Sequence, residues 1–200
     1  MNAECTPFNS NDKAVENIIV NRARHLFMKV DIKSVSMDDI ANACGISKKT
    51  LYKCFDKEGL VKTVTQQQVH IFENEIKSIL QNNKDVVQEL TNLLLFTINA
   101  SQEISLPFID SLKTIKPEAY QLILNFTKNI QQTFINNIKK GMSQGYYRSD
   151  IEPDVVVQLH FLQLWSLMKQ QMLSKSLHWG EELNKMFLFG ILSPKGLKTL

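Results

Sequence analysis

Apolar residues recur along this chain at intervals of three and four. From Ala14 onward they fall at Val15, Ile18, Ile19, Ala23, Leu26, Phe27 and Val30, the spacing of a helix with one buried face. The pattern breaks at Asp31–Ile32–Lys33. Ser36 then reads as an N-cap, with Asp38 and Asp39 in the first turn, where acids complement the helix dipole. The short helix that follows buries Met37, Ile40 and Ala41 and stops at Gly45. Ser47 caps the next one, which buries Leu51 and Phe55. A longer helix is predicted from near Lys57 to about Leu80, with Leu60, Val61, Val64, Phe72, Ile76 and Ile79 inward. Beyond it the periodicity predicts helices over about 84–101, 104–114, 117–144, 152–174 and 180–191, punctuated by Asn82–Asn83, Pro107, Pro117, Gly145 and Pro153. Residues 1–12 are polar and expected to fray. No alternating strand pattern, internal repeat or low-complexity tract interrupts the series. The predicted class is all-α.

Residues 36–55 obey a tighter set of constraints. Two short helices that cross at a steep angle over a tight turn need a small residue where they touch. Ala41 fills that place. The turn needs a residue tolerant of positive φ, which Gly45 supplies. Ile46 is expected to plug the core after the turn, and Leu51 to point back inward from the second helix. Ile40, Ala41, Gly45, Ile46 and Leu51 therefore form one spacing-constrained set. The outer face of the second helix is left with Lys48, Lys49, Thr50, Tyr52 and Lys53. Lysines neutralise phosphates or reach guanine edges, and hydroxyls bond to phosphate or bases. The helix start at Ser47 adds free N–H groups. The set predicts a helix-turn-helix whose partner is double-stranded DNA.

Composition narrows the rest. In 200 residues there are 7 glycines and 5 prolines, few enough to favour long helices. A net charge of +3 would not by itself suggest nucleic acid. Between Gly45 and Lys62, however, five lysines face only Asp56 and Glu58. Cys5, Cys44 and Cys54 are too few and too irregular for a disulfide framework, and neither they nor the four histidines have zinc-ligand spacing. No metal or cofactor is expected. No signal peptide or membrane-length apolar run is visible, so a soluble, cytoplasmic protein is expected. The signatures Gly-x-Ser-x-Gly, His-Glu-x-x-His, the P-loop and Gly-x-Gly-x-x-Gly are absent, and nothing predicts an enzyme.

The N-terminal stretch resembles the TetR (tetracycline-repressor) family. The resemblance is carried by Leu26–Phe27, Met37–Asp38–Asp39–Ile40–Ala41, Gly45–Ile46–Ser47, Thr50–Leu51–Tyr52, Phe55 and Lys57–Glu58–x–Leu60. A weaker echo, Gly145 to Pro153, resembles the turn before that family's dimerisation helices. The chain departs from the family where glycine is common near Asp31, where Lys49 replaces a small residue, and where Cys54 replaces an aromatic one. The resemblance implies a homodimeric bacterial regulator, usually a repressor, that binds a palindromic operator and is released by a small-molecule effector. It also implies that Ser47, Lys48, Lys49, Thr50, Tyr52 and Lys53 face DNA, while Ser36 and Lys57 touch phosphates. The domain division expected on this basis is 13–58 for DNA binding and 59–200 for regulation and dimerisation.

The C-terminal half is less specific. The predicted helix over 152–174 is apolar almost all round, from Val155, Val156 and Val157 to Met172 and Leu173. A helix without a polar stripe must bury two faces. One goes to its own core and the other to a second subunit, with Leu183, Met186, Phe187, Phe189, Ile191 and Leu192 of the last helix beside it. Phe96, Asn99, Phe108, Tyr120, Phe126, Gln131, His160 and Trp165 are candidates to line an effector cavity; each is more readily plain core. Cys44 and Cys54 flank the reading helix and are read as small packing residues rather than a redox pair. The rival reading is a helical adaptor that holds a protein partner and binds little specific DNA.

Overall fold

The computed structural model describes residues 10–83 and 85–199. Among them the chain forms α1 (Ser10–Lys29), α2 (Met37–Cys44), α3 (Lys48–Cys54), α4 (Lys57–Asn82), α5 (Val86–Glu103), α6 (Leu106–Ile115), α7 (Pro117–Ser143), α8 (Pro153–Lys169), α9 (Met172–Lys175) and α10 (His178–Ile191), then a short 3-10 turn, Gly196–Thr199. The expected all-α class holds: a single bridge between Tyr147 and Leu192 is the extent of extended pairing among the described residues. Most of the stretch expected to fray lies outside the described residues, but the first helix is already formed at Ser10.

One predicted helix is broken. The run expected over 152–174 ends at Lys169, and Gln171 takes a left-handed φ of 55° before α9 begins. The N–H of Gln171 bonds back to the carbonyl of Met168 at 2.9 Å, closing a tight turn. The reversal lets Leu173 pack beside Leu164 and Leu183. The apolar spacing therefore continues across a break in the backbone, which is why periodicity alone missed it.

The chain forms two compact units. The first takes the chain as far as Gln68 together with Pro107–Tyr120. Its core is built from Ile19, Ala23 and Phe27 of α1, Ile32 and Val35 of the following loop, Ile40 and Ala41 of α2, Leu51 of α3, and Leu60, Val61 and Val64 of α4. Polar ties fasten its edges. Arg24 donates to the Gln68 side chain at 2.9 Å. The Ser111 hydroxyl donates to the Asp31 carboxylate, and that hydrogen bond is the main reason the carboxyl sits below its usual range. Lys116 pairs with Glu58 at 3.3 Å.

The second unit holds Val69–Leu106 and Gln121–Leu200. Its α5 is buried over most of its length, from Val86 to Ile98. Asp85 caps α5 by accepting from the N–H groups of Val87 and Gln88. A buried polar knot ties α5 to α7: Asn137 donates to the Val86 carbonyl and to Glu89, and the Tyr147 hydroxyl reaches the Val86 carbonyl at 2.9 Å and Asn137 at 3.0 Å. Gly141 makes room for the Tyr147 ring, which a Cβ there would run into. The end of the chain closes over this corner. Ser193 N–H bonds to the Tyr146 carbonyl, and Lys195 lies 4.2 Å above the Tyr146 ring.

Candidate nucleic-acid interface

The helix-turn-helix is built by its caps. Ser36 starts α2: its hydroxyl oxygen accepts from the Asp39 N–H at 3.1 Å, while the Asp39 carboxylate accepts from the Ser36 N–H at 2.8 Å. This reciprocal box satisfies two N–H groups that a helix start leaves without partners. At the other end Gly45 adopts φ 66° and ψ 31°, and its N–H and that of Ile46 bond back to the carbonyls of α2. Open space surrounds Gly45, so the requirement for glycine there is the left-handed backbone rather than crowding. Ser47 then caps α3, accepting from the Thr50 N–H at 3.1 Å, and its hydroxyl lies 2.8 Å from that of Thr50. The backbone opens again at Phe55, and Asp56 starts α4 by accepting from the Gly59 N–H at 2.7 Å.

Packing follows the expected set with one difference. Ile40, Ala41 and Leu51 are buried. Ile46 is only half-buried, because it lies in the turn itself, where its N–H is directed at the Ala41 carbonyl. Leu51 alone plugs the core from α3.

The outward face of α3 carries Lys48, Lys49, Tyr52 and Lys53, all exposed, with Thr50 half-buried. Tyr52 is 57% exposed, which for a large aromatic side chain means a face left open. Ser47, Lys48, Lys49, Thr50, Tyr52 and Lys53 thus lie on one short element. Ser36 and Lys57 stand at the starts of α2 and α4. Ser36 is exposed but its hydroxyl also donates to Asp39 at 2.6 Å, so it is committed to the cap. Lys57 is half-buried.

A contact the sequence did not announce is the ion pair between Lys48 and Asp38, 2.5 Å apart. The hydrogen bond that the Lys48 ammonium donates to the Asp38 carboxylate raises the Lys48 pKa. Asp38 and Asp39 look equivalent as first-turn acids, yet only Asp39 closes the cap. The usable signal was the cap spacing itself, since a box joins the N-cap to the third helical residue and leaves its neighbour free. Cys44 and Cys54 are half-buried thiols that form no disulfide among the described residues. Burial pushes the Cys44 thiol up, the direction of an inert packing residue.

The candidates for an effector cavity divide. Phe108 and Tyr120 fall in the first unit. In the second, Phe96 and Phe126 both pack on Phe72, with ring centres 5.5 and 5.7 Å away. His160 is buried among Phe134, Phe161 and Phe187, and neither ring nitrogen has a hydrogen-bond partner. Desolvation lowers its pKa to about 4, so it is neutral at pH 7. Gln131 is half-buried, while Asn99 and Trp165 are exposed. No group of side chains among the described residues could hold a metal ion, and no described helix is long and apolar enough to cross a membrane.

Residues 19–64 match the family described as bacterial regulatory proteins, tetR family. Solved structures share the fold over most of their length. A transcriptional regulator from Saccharomonospora viridis, solved in complex with choline, superposes with a TM-score of 0.80 at 19% identity, covering 90% of this chain and 99% of that one. A TetR-family regulator from Agrobacterium tumefaciens gives 0.76 at 16% identity, with 92% and 100% covered. One from Chloroflexus aurantiacus gives 0.78 at 14% identity, again with 92% and 100% covered. No curated protein matches the chain in sequence.

Proposed function

From the match of residues 19–64 to the tetR family of bacterial regulatory proteins, we propose that the chain is a ligand-responsive repressor of that kind. It binds a near-palindromic operator as a homodimer and is released by a small-molecule effector. The observation that carries this reading is the exposed face of α3, with Lys48, Lys49, Tyr52 and Lys53 standing on a core of Ile40, Ala41 and Leu51. In this reading residues 13–58 grip DNA and residues 59–200 regulate and dimerise. Tyr52 and Lys53 bond to phosphates or base edges, Ser47 and Thr50 lie at the groove, and Ser36 and Lys57 flank the backbone.

Dimerisation is supported by apolar side chains left uncovered on two helices: Val155, Leu159, Leu162 and Trp165 on α8, and Met186 and Phe189 on α10. An apolar surface of this kind favours burial against a second copy. Effector binding is supported by the aromatic packing around Phe96 and Phe126, with Gln131 as a polar candidate. The likeness to a regulator that holds choline makes quaternary ammonium compounds an early choice for screening, since phenylalanine faces attract such cations. The test is selection of duplex DNA from a random library by the purified full chain, followed by a search for small molecules that release the selected DNA. Enrichment of a two-fold symmetric site supports the reading. A dimer that enriches no sequence overturns it in favour of a helical adaptor.

A further inference from the structure

The reading face of α3 is less positive than its lysines suggest. Residues 36–57 carry four lysines and three aspartates, so each pairing changes the field that approaching DNA meets. Asp39 is occupied by the cap of α2. Asp56 is occupied by the start of α4. Asp38 has no part in either cap, and its carboxylate reaches across the turn to Lys48 at 2.5 Å. Both side chains remain open to solvent, 63% exposed for Lys48 and 49% for Asp38, so the pair lies on the surface that the proposed function turns toward DNA. Among the described residues, Lys49 and Lys53 have no such carboxylate.

We propose that Asp38 is a specificity-determining residue that holds Lys48 as an ion pair and so withholds it from the phosphate backbone. This rests on the proposed DNA-binding role of α3. A duplex of any sequence that approaches this face either leaves Lys48 with Asp38 or separates them and places a carboxylate near phosphates. The loss is recovered only where the bases offer better partners. Guanine O6 and N7 would accept from Lys48, and a cytosine amino group would donate to Asp38. Asp38 therefore lowers affinity for DNA in general more than affinity for the right site, which widens the ratio between them. Lys49 and Lys53 supply the general phosphate grip.

The experiment compares the wild-type chain with Asp38→Asn, Lys48→Met and the double variant. Each is titrated with a random-sequence duplex and with the best duplex from a library selection, over a series of salt concentrations. Asp38→Asn keeps the size of the side chain and leaves the Ser36–Asp39 cap intact. It is expected to tighten random-duplex binding about threefold or more at low salt, and to steepen the log–log salt dependence by about 0.9 per subunit, one added phosphate contact. Selected-site affinity should change less. Lys48→Met in the wild-type background should leave the random-duplex slope unchanged, and the double variant should return to the wild-type slope. An Asp38→Asn variant with wild-type slope and ratio overturns the proposal, as does a Lys48→Met single variant whose random-duplex slope falls by about 0.9. A wild-type chain that binds neither duplex overturns the DNA-binding reading itself.

Discussion

Replacing Gly141 by alanine sets two physical effects against each other, and the structure decides the sign. Gly141 lies in the last turns of α7. By helix propensity alone, alanine in place of a helical glycine stabilises by up to about 1 kcal/mol. The new methyl, however, would run into Cδ2 and Cε2 of Tyr147. That ring cannot swing aside cheaply. Tyr147 is 2% exposed, and its hydroxyl is held by the Val86 carbonyl and Asn137. Overpacking costs about 1–3 kcal/mol, and moving the ring far enough to relieve it loses the one hydrogen bond that the hydroxyl shares between these two acceptors, worth about 0.5–1.5 kcal/mol. The net expectation is a loss of about 1–3 kcal/mol, or a melting temperature lower by roughly 3–10 °C for a chain of this size. Both tryptophans, Trp165 and Trp179, lie in the second unit, so their fluorescence follows the unit that Gly141 belongs to. The melt is run at fixed protein concentration, because association would shift it. An unchanged or raised midpoint would refute the reasoning and show that the Tyr147 corner yields.

Other outcomes follow from the same contacts. Because burial lowers the His160 pKa to about 4 from an ordinary 6.5, the unfolded chain takes up the proton first as pH falls. The second unit should keep its full stability above pH 6.5 and lose up to about 3 kcal/mol toward pH 4; His160→Leu should remove that part of the slope, and an identical pH profile in wild type and variant would count against it. Gly45→Ala should destabilise the first unit by about 1 kcal/mol through its left-handed φ of 66°, with Gly45→Asn milder, which thermal melts would resolve. Leu162→Glu together with Met186→Glu, at positions 63% and 70% exposed, should leave the monomer folded and abolish the proposed dimer in analytical ultracentrifugation; a dimer that persists places the interface elsewhere.

The chain's own pattern determined much of this protein. Helical periodicity, cap residues and the spacing of Ile40, Ala41, Gly45 and Leu51 are local quantities, set by residues within a turn or two of each other. They located the helix-turn-helix and the face it exposes. Tertiary structure decided what depends on residues far apart in the chain or on the path of the backbone. Nothing in the spacing of Pro107–Tyr120 places it with the N-terminal helices, which it joins through Ser111 on Asp31 and Lys116 on Glu58. The run from residue 152 to 174 keeps its apolar rhythm through a left-handed break at Gln171, because burial constrains side chains and not the continuity of the helix. Two neighbouring aspartates that look alike in sequence take different partners. Asp39 finds its own near at hand and closes the cap, whereas Asp38 acquires Lys48 only once Gly45 has turned α3 back across α2.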